Sequence, residues 1–251
     1  MILTSLKEFA LTKSRNRQVT DVCVGLCYTA VLLDNGSAGL AYTFRHDIPP
    51  GCVCFYGGGS LAGRKAEEIL QFVDSPDLLE RTLGIATANA LINEDINGFT
   101  AGDTLDIIMP GKDDVVGMVG YFGPLVPRLK KIVKELRIFE KVEGKGNIPD
   151  VYPEQEAFAF LPECSIAIIT STSLINQTMG KLIDASQDCK KVVLVGASTP
   201  LAEDVFRPFG VDLLSGVIVQ DPRAVLRVVS ESGGMINFKG YIKKVNCTMC
   251  T

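Results

Sequence analysis

Val115-Val116-Gly117-Met118-Val119-Gly120-Tyr121-Phe122-Gly123-Pro124 is an apolar run that ends in glycines and a proline ahead of a helical stripe. A Val/Met run without polar interruption reads as a strand covered on both faces, the habit of parallel sheets. The same order recurs three times downstream. Ile166-Ala167-Ile168-Ile169 leads into Thr170-Ser171-Thr172-Ser173, Val192-Val193-Leu194-Val195 into Gly196-Ala197-Ser198-Thr199-Pro200, and Val217-Ile218-Val219 into Gln220-Asp221-Pro222. Strands and helices alternating in this way predict an α/β layer whose helices start at one edge of the sheet. Ligands of open parallel sheets bind at that edge. Residues 120–124, 170–178, 196–200 and 220–222 are therefore the candidate site segments. Leu125, Val126, Leu129, Ile132, Val133 and Leu136 form one apolar stripe and predict a helix over 125–136.

Upstream the pattern differs. Leu3, Leu6, Phe9 and Ala10 have helical spacing over 3–15, and a strand-rich stretch runs from Val19 to Leu33. Asn35-Gly36 between Tyr28-Thr29-Ala30-Val31-Leu32 and Ala38-Gly39-Leu40-Ala41-Tyr42-Thr43-Phe44 predicts an antiparallel hairpin. Two helical patterns follow at 64–73 and 77–92, the second capped at Ser75-Pro76-Asp77. The loop Asn97-Gly98-Phe99-Thr100-Ala101-Gly102-Asp103 marks a boundary between two domains, 1–102 and 103–251.

The 251 residues are 47% hydrophobic and 22% charged, enough to build cores and too apolar for a disordered chain. A net charge of −4 without clustered Lys/Arg argues against nucleic acid as a partner. No segment reaches the length of a bilayer span and the N-terminus lacks signal-peptide order, so a cytoplasmic protein with reduced cysteines is expected. His46 is the single histidine. It excludes a multi-histidine metal site and would have to serve in any serine triad. Cys247 and Cys250 have chelating spacing and, with Cys52 and Cys54, are the candidates for a four-thiolate zinc site, although bystander thiols are the default reading.

Gly57-Gly58-Gly59-Ser60-Leu61-Ala62-Gly63-Arg64-Lys65 imitates a nucleotide loop but lacks its context: Arg64 and Lys65 stand where a phosphate loop has Lys then Ser/Thr. A turn before a helix is expected there. Gly120 sits where a ligand approaches a helix start, with tight strand-to-helix packing as the equal alternative. Thr170, Thr172, Asn176 and Thr178 gather more donors and acceptors than caps require. Ser198 and Thr199 read either as an N-cap before Pro200 or as site residues. Asn89, among Ala and Leu, must meet a partner, either backbone at the domain junction or a ligand. Backbone amides at 120–124, 172–174 and 198–200 are expected to hold negative charge, Asn176 and Asn89 to read amide or carbonyl edges, and Tyr121 or Phe122 to stack on a ring beside Pro124. No nucleophile–base pair is evident, so no catalytic residue is assigned.

In order along the chain, Gly25-Leu26-Cys27-Tyr28-Thr29-Ala30-Val31, Gly39-Leu40-Ala41-Tyr42-Thr43, Leu83-Gly84-Ile85-Ala86 with Asn89-Ala90, and Met118-Val119-Gly120-Tyr121-Phe122 carry a further signal. So do Ile169-Thr170, Leu174-Ile175-Asn176-Gln177-Thr178, Val195-Gly196-Ala197-Ser198-Thr199-Pro200 and Gly216-Val217-Ile218-Val219. Together the chain resembles a bacterial and archaeal family of unknown function associated with heavy-metal chelation. The resemblance implies an N-terminal α+β domain like that of enolase, followed by a Rossmann-like, mostly parallel three-layer domain, with a cleft between them. It also implies making, modifying or binding a metal-chelating small molecule, such as a pterin-, flavin- or siderophore-like compound. The enolase reaction is not implied, because its metal-binding barrel has no counterpart here. The expectation is thus a small-molecule site with the cofactor unassigned, and a homodimer is allowed because two-domain cleft enzymes often pair. A non-enzymatic protein that sequesters a metal or chelator, and an enzyme using S-adenosylmethionine or NAD, are the alternatives.

Overall fold

The computed structural model describes residues 1–48, 52, 54–95, 97–141 and 150–249. In the first unit, α1 (Ile2–Ser14) precedes β1 (Val19–Val24), β2 (Tyr28–Leu33) and β3 (Ala38–Tyr42), then α2 (Ala66–Leu70) and α3 (Leu78–Ile92). The strands form one antiparallel sheet in the order β1-β2-β3, and β2 turns into β3 at Asn35-Gly36, where Gly36 takes φ 86°. Asp77 caps α3 by accepting from the amides of Leu79 and Glu80, both at 2.9 Å. A helix apolar on every side must be covered on every side. Accordingly α3 is buried at Leu79 and from Arg81 to Leu91, against β2 and β3 and beside α1 and α2. The glycine cluster at 57–63 is a turn before α2, with Gly59 and Gly63 at positive φ.

The second unit runs β4 (Thr100–Ala101), α4 (Thr104–Ile108), β5 (Val115–Val119), α5 (Val126–Ile132), β6 (Glu135–Glu140), β7 (Val151–Pro153), α6 (Ala157–Phe160) and β8 (Ile166–Thr170). It continues through α7 (Met179–Ala185), β9 (Lys191–Val195), α8 (Glu203–Phe206), β10 (Leu213–Val219), α9 (Pro222–Ser230) and β11 (Ile242–Thr248). Its sheet has the order β4-β11-β10-β9-β8-β5-β6-β7. All pairings from β10 to β7 are parallel, whereas β11 and β4 add antiparallel at one end. The chain starts this parallel set in the middle at β5, builds outward through β6 and β7, then crosses back to lay down β8, β9 and β10. Strand order therefore reverses between β5 and β8, which opens a crevice outside their carboxyl ends.

The apolar runs supply both faces of this sheet. Val116, Met118, Ile166, Ile168 and Val193 pack with Leu105, Ile108, Val126 and Leu129 of α4 and α5. Val119, Ala167, Ile169, Val192 and Leu194 face the other way, toward Leu161, Leu182, Ile183 and Phe206. That second cluster continues without a break into Leu6, Leu70, Leu83 and Ile85 of the first unit. A third cluster packs Ala30 and Leu40 of the hairpin against Val217, Val225, Val229 and Phe238. The units thus share apolar packing, and β4 already pairs with β11 before residue 103.

Three expectations are corrected. The helix expected over 125–136 ends at Ile132, and Glu135–Glu140 is strand β6. Leu136 and Ile138 pair with Val116 and Met118 and enter the same core, so period-two packing overrides the helical spacing that Leu136 shares. No long helix opens directly after Thr170; a 3₁₀ turn spans Ser171–Leu174 and α7 begins at Met179. Ser198 caps no helix, since α8 starts only at Glu203. Among the described residues no helix is long and apolar enough to cross a membrane.

Candidate functional site

The carboxyl ends of β5, β6 and β8 form one wall. Gly120 follows β5 at φ 92° and lies so close to β8 that a Cβ there would sit 2.9 Å from Thr170 Cβ. Glycine is required twice over at this position, by conformation and by space. Phe122 lies beside it, Tyr121 is 43% exposed, and Pro124 is at the surface. Thr170 and Thr172 share a hydroxyl contact of 3.0 Å. Asn176 Oδ1 accepts from the amide of Thr178 at 3.2 Å and from its hydroxyl at 2.7 Å, while Nδ2 donates to Glu154 Oε1 at 3.4 Å.

Four of the amides expected to cradle an anion are occupied. Gly120 N–H donates to Phe139 O, Thr172 N–H to Thr170 Oγ1 and Thr199 N–H to Gly196 O. Tyr121 N–H donates to the Glu140 carboxylate at 2.8 Å. At Tyr121 the acceptor is thus the protein's own acid, and the rim carries carboxylates as well as donors.

Glu140 ends β6, and Glu154 opens the 3₁₀ turn after β7. Burial raises the pKa of Glu154 above the ordinary carboxylate value, and the charges of Glu140 and Asp47 push the same way against Lys141 and the Asn176 amide. Asp47 comes from the first unit, where it is ion-paired with Lys141. Beside it, Arg45 donates through Nε to His46 Nε2 at 2.9 Å and through Nη1 to Cys27 Sγ at 3.6 Å. Burial also raises the pKa of Tyr42; Arg45 opposes this, while Cys27, Glu140 and Asp47 add to it. Residues 42–47 therefore face the strand-end acids across the two units. A carboxyl shifted by desolvation and a specific like charge, at a strand-end crevice, makes this the candidate site.

That shift has a measurable consequence. A carboxylate whose folded pKa is raised favours the folded state below its unfolded pKa, and that contribution is lost as pH rises through the folded value. Glu154→Gln is expected to melt at a higher temperature than the parent protein at pH 7, with the gap closing below about pH 4. Thermal unfolding across that pH range checks it; a lower melting temperature for the variant at pH 7 would contradict the assignment.

The other expected residues lie elsewhere. Asn89 is 1% exposed and donates to Leu40 O at 2.8 Å, inside the α3–β3 packing, while its Oδ1 has no hydrogen-bond partner among the described residues. Ser198 is 1% exposed, and its hydroxyl accepts from Tyr42 N–H at 2.9 Å, tying the hairpin to the β9 loop. Thr199 is fully buried, with its hydroxyl bonded to Ser171 Oγ at 2.7 Å and to Ser215 O at 3.1 Å. Both are internal struts. Cys247 is buried in β11, and Cys250 lies outside the described residues. Among the described residues, no group of three or more His, Cys, Asp or Glu converges to hold a metal ion. An open groove of about 280 Å³ between α1 and α7 is lined mainly by apolar residues, including Ile2, Leu174, Met179 and Ile183, and lacks the convergent polar groups of the strand-end crevice.

Sequence reasoning missed Glu140, Glu154, Arg45 and Asp47. The helix expected over 125–136 hid the strand that Glu140 ends, and nothing in the local pattern distinguishes Glu154 from its acidic neighbours.

Two family models match, over residues 7–92 and 103–248, and both are described as "Putative heavy-metal chelation". An uncharacterized protein of Methanocaldococcus jannaschii is 29% identical, over 97% of this chain and 96% of its own length. A crystal structure of a protein of unknown function from Pyrococcus horikoshii superposes with a TM-score of 0.87 at 23% identity, covering 99% of this chain and 100% of that one. A second, from Desulfitobacterium hafniense, gives 0.80 at 24% identity with 98% of each chain covered. These likenesses establish a shared α/β fold. With more than half of its length matched, the chain belongs to the family described as "Putative heavy-metal chelation".

Proposed function

We propose that this protein binds a small polar heterocyclic molecule linked to metal chelation, of pterin-, flavin- or siderophore-like chemistry, in the cleft between its enolase-N-like and Rossmann-like halves. There it modifies the molecule by condensation, hydrolysis or transfer. The observation that carries this reading is Glu154, half-buried and held above its ordinary pKa beside Glu140 at the strand-end crevice, with Arg45 and Asp47 opposite. Carboxylates accept two hydrogen bonds side by side, which suits the adjacent N–H donors of an aminopyrimidine-type ring edge. Tyr121 offers an exposed ring for stacking. Glu154 is suited to hold a proton more readily than an exposed carboxylate, because burial raises its pKa.

The experiment is a thermal-shift screen of pterins, flavins, catecholate and hydroxamate chelators, each with and without a divalent metal, against NAD and S-adenosylmethionine. A ligand present at 100 times its Kd stabilises by about 2.7 kcal/mol. For a chain of this size that raises the melting temperature by roughly 5–11 °C. A heterocycle or chelator is expected to give such a shift in the parent protein and not in Glu154→Gln. A shift with NAD or S-adenosylmethionine alone would overturn the reading.

A further inference from the structure

We propose that the backbone amides of Tyr121 and Lys141 form a carboxylate-binding subsite of the cleft, held in this structure by the protein's own Glu140, which an acidic group on the ligand displaces. The two donors come from neighbouring strand ends. β5 and β6 pair in parallel with Val119 opposite Phe139, and the ladder closes where Gly120 N–H donates to Phe139 O at 2.8 Å. Beyond that bond one carboxylate takes the next amide on each side. Glu140 Oε2 accepts from Tyr121 N–H at 2.8 Å, and Oε1 accepts from Lys141 N–H at 2.9 Å. Each oxygen of one carboxylate thus has its own backbone donor, the arrangement that a bound carboxylate requires. The Glu140 side chain stands in for the acidic group of a ligand.

Folding alone does not call for an acid at this point. Tyr121 and Lys141 are exposed, so water would satisfy both amides. The acid is instead electrostatically unfavourable: burial comes first in raising the Glu154 pKa, and the Glu140 charge comes next. Glu140 is half-buried at the end of β6, so its side chain can turn out to water without opening a core. Exchange with a ligand carboxylate conserves both the charge and the two hydrogen bonds. The surroundings select a single charge. Lys141, ion-paired with Asp47, and Arg45, which acts on the Tyr42 hydroxyl together with Glu140, offset a monoanion. Asp47 and Glu154 oppose a dianion such as phosphate. The Tyr121 ring, 43% exposed, belongs to the same residue as one of the donors. This inference rests on the cleft as the ligand site and adds that the heterocycle bound there carries a carboxylate.

Acetate is the probe, titrated at neutral pH and constant ionic strength into the full-length parent protein and Glu140→Ala, with chloride and inorganic phosphate in parallel. Thermal unfolding and backbone amide NMR are the readouts. A tethered carboxylate competes at an effective concentration of order millimolar, so its removal is expected to tighten acetate at least about 10-fold. Glu140→Ala is expected to melt below the parent protein without acetate and to recover saturably with it. The Tyr121 and Lys141 amide resonances are expected to move along the same binding curve. Should Glu140→Ala not fold, Glu140→Gln replaces it, because its carboxamide keeps one acceptor and sets an NH2 group against the other amide. Saturable stabilisation by acetate, absent from the parent protein, is expected there too. An equal acetate response in parent and variant, tighter binding of phosphate than of acetate, or Tyr121 and Lys141 resonances that stay in place would overturn the proposal. No heterocycle enters this titration, so its failure leaves the heterocycle reading standing, and a negative heterocycle screen leaves the acetate result intact.

Discussion

Gly39→Ala is expected to destabilise the protein by about 3 kcal/mol or more, at the upper end for overpacking, and so to lower its melting temperature by roughly 6–12 °C. Gly39 is the second residue of β3, opposite Val31, and its backbone is not in the left-handed region. The glycine is there for space. An alanine Cβ would lie 2.1 Å from Ala86 O, 2.2 Å from Ala90 N and 2.7 Å from Asn89 C, all backbone atoms of α3. Flexible side chains yield to such a contact; a hydrogen-bonded helix does not. Relief requires α3 to move off the sheet, which also stretches the 2.8 Å bond from Asn89 Nδ2 to Leu40 O and strands a buried amide. Gly36→Ala is the control. Gly36 has φ 86° and open space where a Cβ would go, so its substitution costs only the left-handed conformation, about 1–2 kcal/mol. Thermal unfolding of the two variants separates space from conformation, and equal shifts would refute the close-approach argument.

The parts of this fold that the sequence makes legible are those decided locally. The Asn35-Gly36 hairpin, the Asp77 cap of α3 and the continuous Val/Ile strands each carry their cause within a few residues. Strand β6 does not. Leu125, Leu129, Ile132 and Leu136 keep helical spacing past the true helix end, and only the pairing of Leu136 with Val116 reveals the switch in period. The candidate site inherits that blindness. The edge itself follows from strand order, and Gly120, Thr170 and Asn176 do lie along it, but its charge comes from Glu140 and Glu154, whose setting depends on strands paired across the sheet. Ser198 and Thr199 show the opposite error. A cap-then-proline pattern suggests a local role, yet their hydroxyls meet Tyr42 and Ser171, 156 and 28 residues away. Gly39 gives no local sign at all, because its neighbour is a helix more than forty residues downstream.

Asn93→Ala is expected to be the most damaging single truncation at the junction, because this side chain satisfies backbone of the second unit from the end of α3. Asn93 is 4% exposed. Its Nδ2 donates to Thr199 O at 3.0 Å and Val217 O at 3.3 Å, and its Oδ1 accepts from Leu201 N–H at 2.9 Å. Truncation leaves these three buried backbone groups without the side-chain partner they now have, at about 1–3 kcal/mol for each group left unsatisfied. Taken toward the lower end for the three groups, a total near 3–5 kcal/mol corresponds to a fall of roughly 6–20 °C in melting temperature. Asn93→Asp sharpens the test: the carboxylate still accepts from Leu201 but faces two carbonyl oxygens with no proton to offer. That variant is expected to be worse than alanine at pH 7 and to recover as acid protonates the carboxyl, since burial beside acceptors raises its pKa. The other end of α3 is fastened too, by Arg81, whose Nε donates to Ile175 O at 2.6 Å. Ile175 adjoins Asn176 of the crevice, so α3 sets how the first unit is held over the strand-end acids. Asn93→Ala should therefore weaken any ligand-induced stabilisation along with the fold itself. A variant that melts with the parent protein would mean that α3 does not join the two halves.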